Sequence, residues 1–313
     1  MTFEITEPIL VIGLGRVGAD LAEKAKKSLN SDSLMISHDQ KDLTGENSIK
    51  ISTKSVVNPS IHLIRGSTLE NLEEIEKNIS KYSTIILMSN LAGKAGIGIA
   101  PVVSKICKEQ EKNLLSFAIM PFKFEKDRIF QSGIALKRIR HDSHCTIVLD
   151  NDALLDSNPD LSHEQCNNIS NKAIENVISS LKSSEISEDV NILSTSKNTS
   201  DMEMSLKDSL RMLYEDAPPN SIKRSMLYVY GGSNVPIGVL NSISDITGGV
   251  FDENTTHVDM SSNESKIVML SSVQGEIKFD KYDPLGIISS EKTIDWDEPE
   301  CSINCELDLK QLE

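Results

Sequence analysis

The sequence predicts an α/β fold: a mostly parallel sheet flanked by helices, a long central helix, and a second, smaller α/β domain. Three observations carry this. Apolar runs of strand length, PILVIG (8–13), SLMIS (33–37), STIILM (83–88), LLSFAI (114–119) and CTIVL (145–149), alternate with amphipathic helix patterns. These runs are apolar on both faces, as in a parallel sheet covered on both sides. The chain has 313 residues, more than one core usually organises, and its composition changes after residue 184.

The first run ends at Gly13 and leads into ADLAEKAKKSL, which reads as strand, tight turn and helix. After SLMIS come IHLI (61–64) and the acidic amphipathic segment LENLEEIEKNI (69–79). STIILM runs into the glycine-bearing loop SNLAGKAGIGIAP (89–101) and then VVSKICKEQEK, a second strand, loop and helix. LSHEQCNNISNKAIENVISSLKSS (161–184) is the longest helix pattern. Beyond it, the Ser- and acid-rich SEISEDVNILSTSKNTSDMEM reads as a linker or exposed region. A further block of strands and helices follows, with SMLYVYGG (225–232), VPIGVLNSISDITGG (235–249), HVDM (257–260) and SKIVMLSSVQG (265–275). The expected organisation is a first domain over 1–184, a connecting region and smaller domain over 185–285, and an acidic tail over 286–313 that contains Trp296.

The net charge of −15 argues against nucleic acid as a partner, because phosphate backbones are bound by clustered Lys and Arg. No run of about 18 apolar residues occurs, and MTFEITEP has neither a basic nor an apolar leader segment, so a cytoplasmic protein that does not insert into membranes is expected. Five scattered cysteines fit a reducing compartment better than a disulfide framework, and Cys301 and Cys305 read as free thiols. His141-Asp142-Ser143-His144 reads as a turn entering a strand in preference to a metal site.

Gly13-Leu14-Gly15-Arg16-Val17-Gly18 fits the dinucleotide fingerprint G-x-G-x-x-G, and Asp39 lies where that fingerprint wants a ribose-binding acid. Taken alone, the first 40 residues favour an NAD(H) site. The second loop, with Gly93, Gly96 and Gly98, changes the balance. Two turns at helix N-termini on one rim suit a nucleoside triphosphate, whose oxygens take donors from several directions.

The block LAGKAGIGIAPVVSKICKEQEKNLLSFAIMPFKFE resembles the FtsZ branch of the tubulin superfamily, whose signature GGGTGTG precedes A-A-P-V-V and K-P-F-x-F-E. That signature falls on Ala92 to Gly98, followed by Pro101, Val102 and Val103; Pro121, Phe122, Phe124 and Glu125 match the next motif. TIVLDNDALLD resembles I-x-I-P-N-D-x-L-L, with Asn151, Asp152, Leu154 and Leu155 in register, and SHDQKDL keeps Asp39 and Leu43 of N-T-D-x-Q-x-L. The family's A-N-D-V-L falls on Cys166 to Ser170, which implies Asn167 as the guanine-reading residue and His163 in the place of a stacking aromatic. The resemblance implies a guanine-nucleotide site for GTP or GDP, with Mg²⁺ as an optional companion. It also implies subunits stacked head to tail into filaments, with a role in the cytoskeleton or cell division and another filament or division protein as a further partner.

This chain departs from the family at its phosphate loops. Arg16, Val17 and Lys94 replace glycines, and Ala95 and Ile97 replace threonines whose hydroxyls would bond phosphate. Two readings stay open: Arg16 and Lys94 turn to the phosphates as fixed positive charge, or both turn to solvent. The family's hydrolytic loop N-x-D-F-x-D lands on Ser187 to Ile192, where Asp189 keeps a carboxylate and Glu188 is a substitute. Hydrolysis is therefore expected to be slow or absent. Glu125 and Arg128 are three apart, an altered spacing for two further ligands. A nucleotide-free pseudo-GTPase that scaffolds another filament protein, and an NAD(H)-binding Rossmann domain, are the alternatives.

Overall fold

Alternation along a strand decides which side of the sheet each residue joins. Leu10, Ile12 and Leu14 enter one apolar core, and Ile9 and Val11 enter a second on the opposite face. The computed structural model describes residues 2–282 apart from 46, 55–57, 182–185, 198, 200, 232–235, 252 and 260–264. The acidic tail, Trp296, Cys301 and Cys305 therefore lie outside the described residues.

The first half comprises β1 (Thr2–Phe3), β2 (Ile9–Leu14), α1 (Gly15–Leu29), β3 (Asp32–Ser37), β4 (Ser48–Lys50), α2 (Ile61–Leu69), α3 (Leu72–Ile79), β5 (Thr84–Asn90), α4 (Lys94–Glu109), β6 (Asn113–Met120), α5 (Lys126–Asp142) and β7 (Cys145–Asp150). The second comprises α6 (Asn151–Ser157), α7 (His163–Ser180), β8 (Ile186–Ser187), β9 (Asp189–Thr195), α8 (Met202–Asp216), β10 (Ile222–Tyr230), α9 (Ile237–Val250), β11 (Glu253–Asp259) and β12 (Lys266–Val273). Local chemistry sets several boundaries. Ser162 and Gln165 form a capping box at the start of α7, and Asn30 closes α1 in the left-handed region with φ 50°.

Ten strands form one sheet in the order β11-β10-β12-β9-β7-β6-β5-β2-β3-β4. The pairs from β4 through β9 are parallel, and β12 runs antiparallel to both its neighbours. Helices α1 and α7 pack together on one face, while α2, α4 and α5 cover the other. The run β4-β3-β2-β5-β6-β7 has the doubly wound order of dinucleotide-binding sheets, so strand order alone accommodates the Rossmann alternative as well.

One expectation is corrected. The segment read as a linker contributes β9, which pairs with β7 on one side and β12 on the other, and Val190 to Thr195 are buried. Its polar residues disguise it. Asn191 donates to the Ser187 carbonyl at 2.9 Å and Thr195 Oγ1 to the Ile267 carbonyl at 3.5 Å, so they enter the interior with partners. Through β9, the strands of the second block extend the sheet of the first. No helix among the described residues is long and apolar enough to cross a membrane.

Candidate functional site

Strands β7, β6, β5 and β2 are parallel neighbours, so the loops after their carboxyl ends form a row along one edge. At about 4.8 Å per strand, the row spans on the order of 15 Å. Ligands of open α/β sheets bind at this edge.

At the β2 end, Gly15 has φ 64°, and a Cβ there would stand 3.0 Å from the Cβ of Ala95 in the second loop. The two glycine loops touch. Several other glycines are used by the scaffold itself. A Cβ on Gly13 would meet the Gly18 carbonyl at 2.5 Å, on Gly18 the Met88 carbonyl at 2.5 Å, and on Gly96 the Asn90 carbonyl at 2.1 Å. They let α1 and α4 close onto the strands. Gly98 faces Ile61 and Ile64 of α2, whereas Gly93 has only the Asn90 carbonyl, at 3.4 Å, within reach. Helices α1 and α4 begin at these loops without a side-chain cap, so their first-turn N–H groups and positive dipole ends are available to an anion.

The two basic replacements differ. Lys94 Nζ donates to Asn58 Oδ1 at 2.7 Å and to the Pro59 carbonyl at 2.8 Å, tying the second glycine loop to the chain entering α2. Arg16 is exposed and has no hydrogen bond or ion pair among the described residues. Neither open reading describes both.

Beyond β3, Asp39 is exposed and accepts from Lys41 N at 3.0 Å, and Asp42 Oδ2 accepts from Ser37 Oγ at 2.7 Å. His38 feels the charges of Asp42, Asp39 and Lys94. Burial holds its imidazole below the ordinary value, with Asp42 and Asp39 opposing that and Lys94 adding to it, and its buried Nδ1 has no partner among the described residues.

After β6, Glu125 Oε2 accepts from Phe122 N at 3.2 Å, while Arg128 Nη1 stands 3.3 Å from Glu125 Oε1 and donates to the Ala92 carbonyl. The short spacing of Glu125 and Arg128 thus makes an ion pair one helical turn long, anchored on the second glycine loop. Lys123 N donates to Asp152 Oδ1 at 3.0 Å, and its ammonium bridges Asp152 and Asp156 at 2.7 Å each.

At the β7 end, Asn151 is buried, donates to Asn167 Oδ1 at 3.1 Å and accepts from Ser170 Oγ at 2.5 Å. Asn167 Nδ2 lies 3.2 Å from His163 Nδ1, one turn earlier on α7. His163 packs on Phe122 with centroids 5.0 Å apart, and Phe122 stacks on Phe124 at 5.2 Å and 16°. Two motifs separated in sequence therefore meet as one amide ladder beside an aromatic group.

Sequence reasoning missed Ser170, three residues after Asn167 on the same helical face, and a buried charge cluster behind the site. In that cluster Lys278 Nζ reaches Asp150 Oδ2 at 2.5 Å and Asp216 Oδ1 at 3.3 Å, and both acids are buried. Burial first, and then the neighbouring Asp150, push Asp216 well above the carboxylate range. Asp150 Oδ1 also caps α6 by accepting from Asp152 N at 2.9 Å.

Glu188 and Asp189 do not join this row. Asp189 pairs with Cys145 at the amino end of β7, so its backbone belongs to the sheet at the opposite edge, with half-buried Glu188 just before it. A cavity of about 590 Å³ lies apart from the row as well, between α5, β9 and β12, lined by Lys137, Arg140, Val190 and Gln274 among others.

A parallel sheet with two glycine-turned helices meeting at its carboxyl edge defines the class: a doubly wound α/β protein. Residues 8–159 match the Tubulin/FtsZ family GTPase domain. The chain is 29% identical over 165 residues to cell division protein FtsZ 2 of Halobacterium salinarum, a stretch covering 49% of this chain and 41% of that protein. It is 36% identical over 77 residues to FtsZ 2 of Haloferax volcanii, covering 25% of this chain and 19% of that one. The chain thus spans about two fifths or less of the length of these relatives. In fold it is similar to the empty FtsZ dimer of M. jannaschii, with TM-score 0.69 and 16% identity over 89% of this chain and 92% of that one. The GDP-bound monomer of CetZ1 from Haloferax volcanii gives TM-score 0.64 and 15% identity, over 89% and 98%. Residues 8–159 are thus similar to the Tubulin/FtsZ GTPase domain, and the fold is similar to that of FtsZ.

Proposed function

We propose that the chain binds a guanine nucleotide, GTP or GDP, along the row from β7 to β2, and assembles head to tail into filaments that serve the cytoskeleton or cell division. The observation that carries this reading is the order of chemistry along one edge: the Asn151–Asn167 amide ladder, then the Glu125–Arg128 pair, then two uncapped helix N-termini whose loops touch. A base, a ribose and a phosphate chain need those groups in that order. The amides supply donors and acceptors to a base edge, and the helix N-termini supply N–H groups to phosphate. The buried Nδ1 of His38 and the guanidinium of Arg16, neither with a partner among the described residues, add polar groups at the phosphate end. Asp39 and Asp42 are the carboxylates on that side for a Mg²⁺ accompanying a triphosphate.

Hydrolysis is slow or absent in this reading. The backbone of its candidate residues, Asp189 and Glu188, lies at the opposite edge, toward a stacked neighbour, but Asp189 is held in a strand in place of an outreaching loop. Such a contact between unlike faces propagates into an open polymer.

A second reading, a nucleotide-free scaffold for another filament protein, draws on the packing of the loops. Ala95 stands against Gly15, and Lys94 is already occupied by Asn58 and Pro59. Titrating purified protein with GTP, GDP and NADH by calorimetry, with light scattering for assembly, separates the readings. Guanine-nucleotide binding with nucleotide-dependent scattering is expected. Tight NADH binding without guanine affinity would overturn the proposal in favour of a Rossmann-type site, and no nucleotide binding would leave the scaffold.

A further inference from the structure

We infer that Phe124 is the ring on which the base of the nucleotide stacks, so that aromatic recognition comes from the loop after β6 and not from α7. The inference rests on the guanine-nucleotide reading above and adds a residue that would contribute affinity for the base. Phe124 is 65% exposed, although it is a large apolar side chain next to the amide ladder. Isolated exposed apolar residues are common on protein surfaces. This one, however, is held out by a braced loop. Lys123 ties the segment to Asp152 and Asp156 of α6, Glu125 accepts from Phe122 N, and Arg128 fixes the start of α5 to the Ala92 carbonyl.

One face of the Phe124 ring is covered by the buried Phe122, nearly parallel at 16°, which leaves the other face to solvent. That face suits a flat π-system, since offset-stacked rings gain energy beyond the area they bury. His163, which holds the stacking position implied by the family resemblance, is engaged differently. Its ring is tilted 45° to Phe122, meets Phe124 edge-on at 6.3 Å, and its Nδ1 is 3.2 Å from Asn167 Nδ2. His163 therefore connects Phe124 to the amide that would read the base edge. Phe124 would give affinity to any purine, because every base has a π-face. Asn167 would give the preference for guanine.

The test uses the full chain with GDP as ligand and inorganic tripolyphosphate as a probe of the phosphate end alone. Phe124→Ala is expected to weaken GDP about ten-fold, equivalent to about 1.4 kcal/mol. It should leave tripolyphosphate binding unchanged and shift the melting temperature by less than about 2 °C, since the ring is mostly in solvent. Phe124→Trp is expected to retain affinity, and its emission should be quenched by GDP and not by tripolyphosphate. The chain has a single native tryptophan, Trp296, so the unsubstituted protein is the control. Full GDP affinity in Phe124→Ala, or Phe124→Trp emission that ignores bound GDP, overturns this inference while the nucleotide reading stands. Absence of GDP binding to the unsubstituted chain removes both.

Discussion

Arg65, buried in α2, donates from Nη2 to the carbonyl of Ile97 at 3.3 Å. Ile97 is the residue whose helical partner would be Pro101, four positions on, and proline has no N–H to give. A guanidinium from a neighbouring helix thus satisfies the gap that proline leaves in α4, the helix that carries the second glycine loop. Arg65→Met is expected to destabilise the protein by about 1–3 kcal/mol, the usual range for leaving a buried polar group unsatisfied. Pro101→Ala restores an N–H for Ile97, so the same Arg65→Met change should cost less in that background. Urea denaturation of the four proteins tests the link. Additivity within about 0.5 kcal/mol would show that the two residues act independently.

Asp216 makes stability depend on pH in a defined direction. Burial, then the Asp150 charge, raise its folded pKa above the unfolded value, with Lys278 opposing. A carboxyl raised in this way stabilises the fold while it is protonated, and that contribution is lost as pH rises through the folded value. Lys278 is shifted upward by Asp150 and Asp216 against its own desolvation, so it stays charged across neutral pH and adds no slope there. Stability should therefore fall from the ordinary carboxylate range upward, by at most about 1.4 kcal/mol per pH unit for one proton. Asp216→Asn should abolish this slope. Denaturation midpoints measured from pH 5 to pH 9 decide it, and an equal slope in the variant would place the titration elsewhere.

What was legible in the sequence follows from how local each signal is. PILVIG and STIILM read as strands because both their faces are apolar, and GLGRVG reads as a turn because Gly15 at φ 64° needs glycine. Asn151 and Asn167 were both marked by motifs, although only folding shows that they bond to each other. The strand at Asp189–Thr195 was hidden because Asn191, Ser194 and Thr195 look solvent-seeking, while two of them find partners inside. Lys278 was unreadable for another reason. Its partners Asp150 and Asp216 lie 128 and 62 residues away, and a lone lysine carries no sign of which carboxylates it will meet. The tie from Lys94 to Asn58 and Pro59 is likewise a contact between loops that no periodicity encodes.

In the proposed site the amide ladder carries both base reading and scaffold. Asn167 is half-buried, and its Nδ2 faces His163, so Asn167→Ala removes a recognition group with little loss of packing. It should lower affinity for GDP about ten-fold and erase the preference of GDP over ADP, and it should cost about 1 kcal/mol of stability because the buried Asn151 amide loses its Oδ1 acceptor. Asn151 is buried and bonded to both Asn167 and Ser170, so Asn151→Ala should also cost about 1–3 kcal/mol of stability. Parallel calorimetric titrations with GDP and ADP test both, and an Asn167→Ala protein that still prefers GDP would move guanine recognition elsewhere.

Arg16 and Lys94 replace glycines in two touching loops, yet they should contribute unequally to a bound triphosphate. The Lys94 ammonium is engaged by an amide oxygen and a backbone carbonyl, and leaving them for a phosphate would also release the chain before α2. Arg16 gives up no partner among the described residues and sits in the first turn of α1, where the dipole already favours an anion. Arg16→Ala should therefore weaken GTP by about three- to ten-fold and flatten the dependence of affinity on salt, since an exposed charge is screened. Lys94→Ala should change GTP affinity by less than about two-fold, the loss of two hydrogen bonds to neutral acceptors appearing in stability, at about 0.5–1.5 kcal/mol each. GTP titrations at low and physiological salt compare the two. A larger affinity loss in Lys94→Ala would mean that nucleotide draws Lys94 from Asn58, and the loop before α2 would then respond to what the site holds.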